Sequence, residues 1–197
     1  MPEPQPRRRL SREDRRRQLI EVAWQVIRAD GTEALTLPRL AEQASVAKPV
    51  VYDHFATRPA LLAALYQEFD RHQTALMDAA FQASEPTLPS RAMVIAASYV
   101  DCVLEQGREI PGVISALAGS PELAKVKRDY EAIFMEKCRT LLAPFAPAGT
   151  IASSGLLAML GAAEALSFAA ASGDITATDA KDELFQSILA MVARNAR

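Results

Sequence analysis

The chain has 197 residues, room for one domain or for a small domain followed by a larger one. Half of them are hydrophobic and only 6% aromatic. Ala and Leu recur at helical spacing, and no alternating stretch is closed by a hairpin turn, so an all-α protein is expected and sheet architectures are excluded. The net charge of −2 conceals an asymmetry, because residues 1–60 carry 11 Lys and Arg against 8 Asp and Glu while residues 61–197 carry 11 against 16. The basic end is where a phosphate-binding surface is expected.

Residues 1–10, MPEPQPRRRL, join prolines to three successive arginines and cannot bury a core, so a disordered basic arm is expected. Arg7, Arg8, Arg9, Arg12, Arg15, Arg16 and Arg17 all precede the first core positions. Alone, such a run is a solvated charge cluster; beside the phosphate-binding surface expected at this end, it suits a nucleic-acid backbone or minor groove. It has no apolar segment of the kind a secretory leader needs, which points to a cytoplasmic protein. Ser11 caps the first helix, with Glu13 and Asp14 in its first turn. Leu19, Ala23, Val26 and Ile27 form its apolar face, Trp24 lies beside that face, and Gly31 ends the helix.

Residues 35–58, LTLPRLAEQASVAKPVVYDHFATR, organise the first part of the chain. Thr36 caps a helix over Leu37–Gln43, with Pro38 tolerated in the first turn. Ala44, Ser45 and Val46 make a turn, and Lys48 and Pro49 open a second helix to His54 or Phe55. Leu40, Ala41, Val46, Val51 and Phe55 pack the two together, which leaves Lys48, Tyr52, Asp53 and His54 on the outer side. Thr36, Lys48, Tyr52, His54 and Arg58 are suited to phosphate; Arg39 can read guanine, and Pro49, Val50 and the Tyr52 ring can touch thymine methyls.

The string Lys48-Pro-Val-Val-Tyr52-Asp-His54-Phe55, with Gly31, Leu35-Thr36, Leu40-Ala41, Ala44, Val46, Arg58 and Leu61-Leu62, resembles the tetracycline-repressor (TetR) family of bacterial transcription regulators. The resemblance is sharp over residues 16–65 and architectural beyond. Ser45 stands where the family usually has a turn Gly, and Ala47 where it usually has a Ser or Thr cap. The resemblance implies an N-terminal three-helix, helix-turn-helix domain and a C-terminal helical effector and dimerisation domain, about nine helices in all. It also implies a repressor of a palindromic double-stranded DNA operator, released by a small-molecule effector.

Thr57 and Pro59 start a long helix to about Ala83, with a stripe of Leu62, Leu65, Phe69, Leu76 and Ala80 and with His72 at the stripe's edge. Ser84–Ser90 breaks the pattern with two prolines. Further helices are expected at 91–106, apolar almost all round, then at 111–118, 122–142, 151–172 and 177–194. The effector site is expected among them: Tyr99, Cys102, Val103, Leu117, Tyr130, Phe134, Met159 and Phe168, with Asp101 or Glu164 as a charged end. Asp101 and Glu164 can equally sit in local ion pairs.

Residues 151–172 are rich in small side chains, including Gly161 and Ala163, while Leu184, Ile188 and Met191 form a narrow seam on the last helix. Together they read as half of a four-helix homodimer interface. Stretch 151–173 approaches membrane-span length but is weakly hydrophobic and reads as a buried helix, so no membrane partner is expected. His54, His72, Cys102 and Cys138 lack the short spacings of zinc ligands, and there is no nucleophile elbow or phosphate-cradling Gly loop. Neither an enzyme, a metal site nor a cofactor is expected, and the cysteines read as reduced core residues.

Residues 11–57 are thus assigned to the DNA-binding domain and 58–197 to the effector and dimerisation domain. The alternative is a helical sensor or interaction protein that no longer recognises an operator.

Overall fold

The computed structural model describes residues 10–105, 109–118 and 121–194, with side chains left aside at 109–111, 117–118 and 121–123. The expected basic arm falls outside the described residues, apart from Leu10. Among those described there are nine α-helices and no strand. They form two compact units that meet in sequence between Leu65 and Tyr66.

The first unit holds α1 (Arg12–Asp30), α2 (Leu37–Gln43), α3 (Lys48–His54) and the opening turns of α4 (Arg58–Ala83). The Ser11 hydroxyl accepts from the Asp14 N–H at 3.0 Å, and the carboxylates of Glu13 and Asp14 lie in the first turn, where the helix dipole favours them. Gly31, at φ 83°, stops α1 in a backbone conformation that side chains with a Cβ resist. Leu19, Ala23, Leu35, Leu40, Val51, Leu61 and Leu65 are fully buried. Leu61, Leu62 and Leu65 belong to this core, so the unit extends eight residues past the expected boundary at residue 57.

The second unit holds the remainder of α4 with α5 (Leu88–Glu105), α6 (Glu109–Ala118), α7 (Pro121–Leu142), α8 (Ser153–Ser172) and α9 (Ala177–Arg194). Its core gathers Ile95 and Val100 of α5, Leu156 and Met159 of α8, and Ala180, Leu184 and Ile188 of α9. Helix α5 begins three residues earlier than expected because Thr87 accepts from the Ser90 N–H at 3.3 Å and Pro89 fits a first turn that needs no N–H from it. Helix α9 opens on a reciprocal cap: Asp179 N–H donates to the Thr176 hydroxyl at 3.0 Å, and Thr176 N–H donates back to the Asp179 carboxylate at 3.2 Å. Helices α8 and α9 approach closely at Gly155, where a Cβ would stand 3.1 Å from Met191 Cγ.

Two sequence expectations need correction here. Leu184, Ile188 and Met191 form no seam for a second chain: with Ala163 they are buried in the protomer's own core, because α9 packs on both α5 and α8 and spends its apolar stripe there. Of the five expected interface residues only Gly161 is exposed, with open space where a Cβ would go. On α4, Phe69 faces inward as expected but Leu76 is 45% exposed, and past Phe69 the inward row runs through Gln73, Met77 and Phe81. Both cysteines are free: Cys138 is fully buried, which pushes its thiol up to about 12, and burial also raises the thiol of the half-buried Cys102.

Candidate nucleic-acid interface and ligand cavity

Helices α2 and α3 are held at a fixed angle by local backbone chemistry. Thr36 takes extended dihedrals and its hydroxyl accepts from the Arg39 N–H at 3.2 Å, so its side chain works as the cap of α2. In the turn, Val46 N–H donates to the Ala41 carbonyl at 3.0 Å, and Ser45 sits at φ 52°, the left-handed region that favours glycine. Ala47 has the extended dihedrals of a cap but supplies no capping side chain to α3. Ala47→Ser should therefore stabilise the first unit by about 1 kcal/mol. A chemical-denaturation midpoint no higher than that of the parent chain would show that α3's first turn does not limit the unit's stability.

The outer face of α3 presents Lys48, Pro49 and Tyr52, the last 48% exposed, while Val51 is buried beneath and Val50 is half-buried. At its C-terminal end Arg12 of α1 donates to the Asp53 carbonyl at 3.5 Å, and the Arg16 guanidinium lies 5.9 Å from the centre of the Phe55 ring. His54 is half-buried between them. Burial, then the positive charges of Arg12, Arg16 and Arg15, hold its pKa below the usual 6.5, with Asp53 opposing. An anion arriving among these arginines would raise that pKa and favour uptake of a proton from solvent by His54.

Two expected DNA contacts are otherwise engaged. Arg39 donates to Asp30 of α1 at 2.6 Å, so contact with guanine requires it to leave or share that carboxylate. Arg58 donates to the Leu35 and Thr32 carbonyls, each at 2.9 Å, and reaches Glu33 at 3.3 Å. It clamps the loop before α2 to the start of α4, with its Nε and Nη2 donors engaged inside the unit. The sequence placed Arg58 at a helix start but could not show that two loop carbonyls face it.

The second unit contains a cavity of about 110 Å³ between α4, α5, α6, α7 and α8. Of the residues expected in an effector site, Tyr99, Cys102, Val103, Tyr130, Phe134 and Glu164 line it. Met159 is instead buried in the core, Phe168 is 60% exposed on the outer face of α8, and the Leu117 side chain lies outside the described residues. Asp101 is paired with Lys181 of α9 at 2.5 Å and faces a separate surface hollow. His72 is exposed and does not line the cavity.

Sequence reasoning missed the α4 wall: Tyr66, Phe69, Asp70, Gln73, Thr74 and Met77. Phe69 belongs to the apolar stripe expected on this helix, and 66, 69/70, 73 and 77 repeat around it at helical period, which is the signal for a shared wall. The rings are mutually packed, Tyr66 edge-on to Tyr130 at 5.6 Å and Tyr99 against Phe134 at 5.5 Å. Lys127 is bonded to Glu131 and, at 2.8 Å, to Glu164; burial works against its charge, but these two carboxylates outweigh it and raise its pKa. Asp70 has no hydrogen-bond or ion-pair partner among the described residues, and burial raises its pKa although the charge of Lys137 opposes. The Gln73 amide nitrogen is buried without a partner.

Residues 19–65 match the family described as bacterial regulatory proteins, tetR family. A curated relative, the HTH-type transcriptional activator FasR of Mycolicibacterium smegmatis, is 36% identical over 89 residues, 45% of this chain and 39% of that protein. The chain thus aligns with well under half of that relative's length. Two solved structures share the fold across almost their whole lengths. A TetR-family regulator from a Rhodococcus species has a TM-score of 0.75 at 18% identity, with 91% of this chain and all of that one covered. SCO4454 of Streptomyces coelicolor, also described as a TetR-family transcriptional regulator, has a TM-score of 0.71 at 17% identity, with 94% and 97% covered. In its helix-turn-helix head, residues 19–65, the chain is thus similar to the tetR family of bacterial regulatory proteins.

Proposed function

We propose that the protein is a cytoplasmic, homodimeric DNA-binding repressor of a palindromic operator, released when a small molecule enters the cavity of the second unit. The observation that carries this reading is the outer face of α3, where Lys48, Pro49 and Tyr52 stand clear of the core that Val51 and Phe55 fill. Those side chains suit phosphate and thymine methyl contacts in a major groove. Two heads would engage half-sites about 34–36 Å apart, or a multiple of that. The second copy would pack on the outer face of α8, where Leu157, Gly161 and Phe168 form an exposed row at helical spacing. An effector releases the operator only by favouring a state with lower operator affinity, so it must bind that state more tightly. A second reading, activation at the same operator, has the matched relative's name as its support.

Selection of duplexes from a random pool tests the reading: the enriched sequences should be palindromic, and their affinity should fall with salt by roughly 0.9 in log-log slope per phosphate contact. Enrichment of no sequence would leave the helical interaction protein as the better account. The same operator supplies a pH test. Because the His54 pKa is depressed in the free protein and a neighbouring phosphate would raise it, binding should take up a proton, and affinity should rise as pH falls through the interval between the two values. His54→Gln should flatten that profile; an identical slope in the variant would remove His54 from the interface.

A further inference from the structure

The cavity in the second unit has a charge that its shape alone does not disclose. Its walls hold three carboxylates, Asp70, Glu131 and Glu164, against one ammonium, Lys127. Lys127 is already held by both glutamates, so it offers no free positive charge to an incoming anion. Asp70, by contrast, stands on α4 without a bonded partner among the described residues, one turn from Gln73, whose amide nitrogen is also unsatisfied. The nearest compensating cation, Lys137, is bonded at 2.5 Å to Asp78. The remaining wall is aromatic, built from Tyr66, Tyr99, Tyr130 and Phe134, and the negative faces of such rings attract a positive group.

We propose that this cavity takes an organic cation, an amine or quaternary ammonium with a small apolar body, its charge set against Asp70 and its body held among the tyrosine and phenylalanine rings. The inference rests on the effector reading of that cavity and gives it a ligand class. Each feature of the site disfavours the other classes. An organic anion would enter beside three carboxylates with the one lysine already committed, and a wholly neutral ligand would leave the half-buried Asp70 carboxylate with no bonded cation and only the charge of Lys137 to offset its desolvation. A cation supplies what Asp70 lacks, and an adjacent acceptor group on the same molecule can take the free Gln73 N–H. The raised Asp70 pKa follows from the same geometry, since desolvation without a bonded cation disfavours its charged form.

Three probes of common ring size decide the matter by calorimetry on the full chain: benzyltrimethylammonium, benzyl alcohol and phenylacetate. The expected order is cation over alcohol by at least tenfold, with phenylacetate weaker than both. Asp70→Asn should reduce the cation's advantage at least tenfold and leave the alcohol unchanged, and Cys102→Trp, which fills the cavity, should abolish both. Phenylacetate binding as tightly as the cation, no binding of the cation, or an undiminished cation advantage in folded Asp70→Asn would overturn the proposal. Should that variant not fold, the order of the three probes on the parent chain decides alone. Operator affinity is read separately. A cation that binds as expected but leaves the operator bound upholds the cavity's ligand class and removes the release mechanism; release by other compounds, with no cation bound, does the reverse.

Discussion

Ile188→Glu should unfold the second unit rather than give folded monomers. Ile188 is fully buried among α5, α8 and α9, and a carboxylate there loses its hydration with no cation beside it. The penalty for burying an unpaired charge is several kcal/mol even after relaxation. The lost burial of an isoleucine adds roughly 1.5–3 kcal/mol. Together these approach the whole stability of an ordinary domain, about 5–15 kcal/mol. Leu157→Glu is the informative contrast, because Leu157 is 58% exposed on the outer face of α8. It should change protomer stability by no more than about 0.5 kcal/mol and convert a dimer to monomers, losing operator binding with it. Circular dichroism and sedimentation of the two variants separate the cases. A folded, soluble Ile188→Glu would contradict the core described for α9, and a dimeric Leu157→Glu would move the subunit contact away from α8.

The second large effect concerns Arg58 and Tyr52, which the sequence alone treats alike. Arg58→Ala removes a donor from two loop carbonyls; the Thr32 carbonyl keeps the Leu35 N–H, but the Leu35 carbonyl loses its partner, at about 1–3 kcal/mol, which should lower the melting temperature together with operator affinity. Arg58→Lys should fail to restore either, since a single ammonium cannot reproduce a fork that spans Leu35, Thr32 and Glu33. Tyr52→Ala should leave the melting temperature unchanged and weaken operator binding about tenfold or more, a loss of at least roughly 1.4 kcal/mol. If Arg58→Ala melted like the parent chain and lost only operator binding, Arg58 would be a DNA contact after all and the clamp would be incidental.

The helices were legible because their punctuation is local. Ser11, Thr36, Gly31, Gly173 and the Thr176–Asp179 pair mark boundaries that the structure reproduces within a residue or so. The outer face of α3 was legible for the same reason, as seven residues of helix fix which side chains oppose Val51. What the sequence could not settle was which apolar stripe meets which. Leu184, Ile188 and Met191 have the spacing of a helix-helix seam whether the other helix belongs to the same chain or to a second one; only the packing of α9 on α5 and α8 distinguishes them. The cavity was half legible. Tyr99 and Cys102 stand out within an apolar helix, and Tyr130 and Phe134 on the apolar face of an amphipathic one, whereas Asp70 and Gln73 look like ordinary surface residues until α4 is seen to turn that face inward.

The state of the two cysteines has a practical side. Sulfhydryl reagents and peroxide attack the thiolate, and burial both pushes the Cys138 thiol up, away from that form, and shields it from the reagent. Cys138 is thus chemically silent on the timescale of ordinary labelling, and burial pushes Cys102 in the same direction. A spectroscopic reporter can then be attached at an engineered exposed cysteine on the head, such as Tyr52→Cys on α3, with both native cysteines kept in place. Distances between two such reporters across a pair of chains would follow the separation of the heads directly, in a protein altered at one surface position.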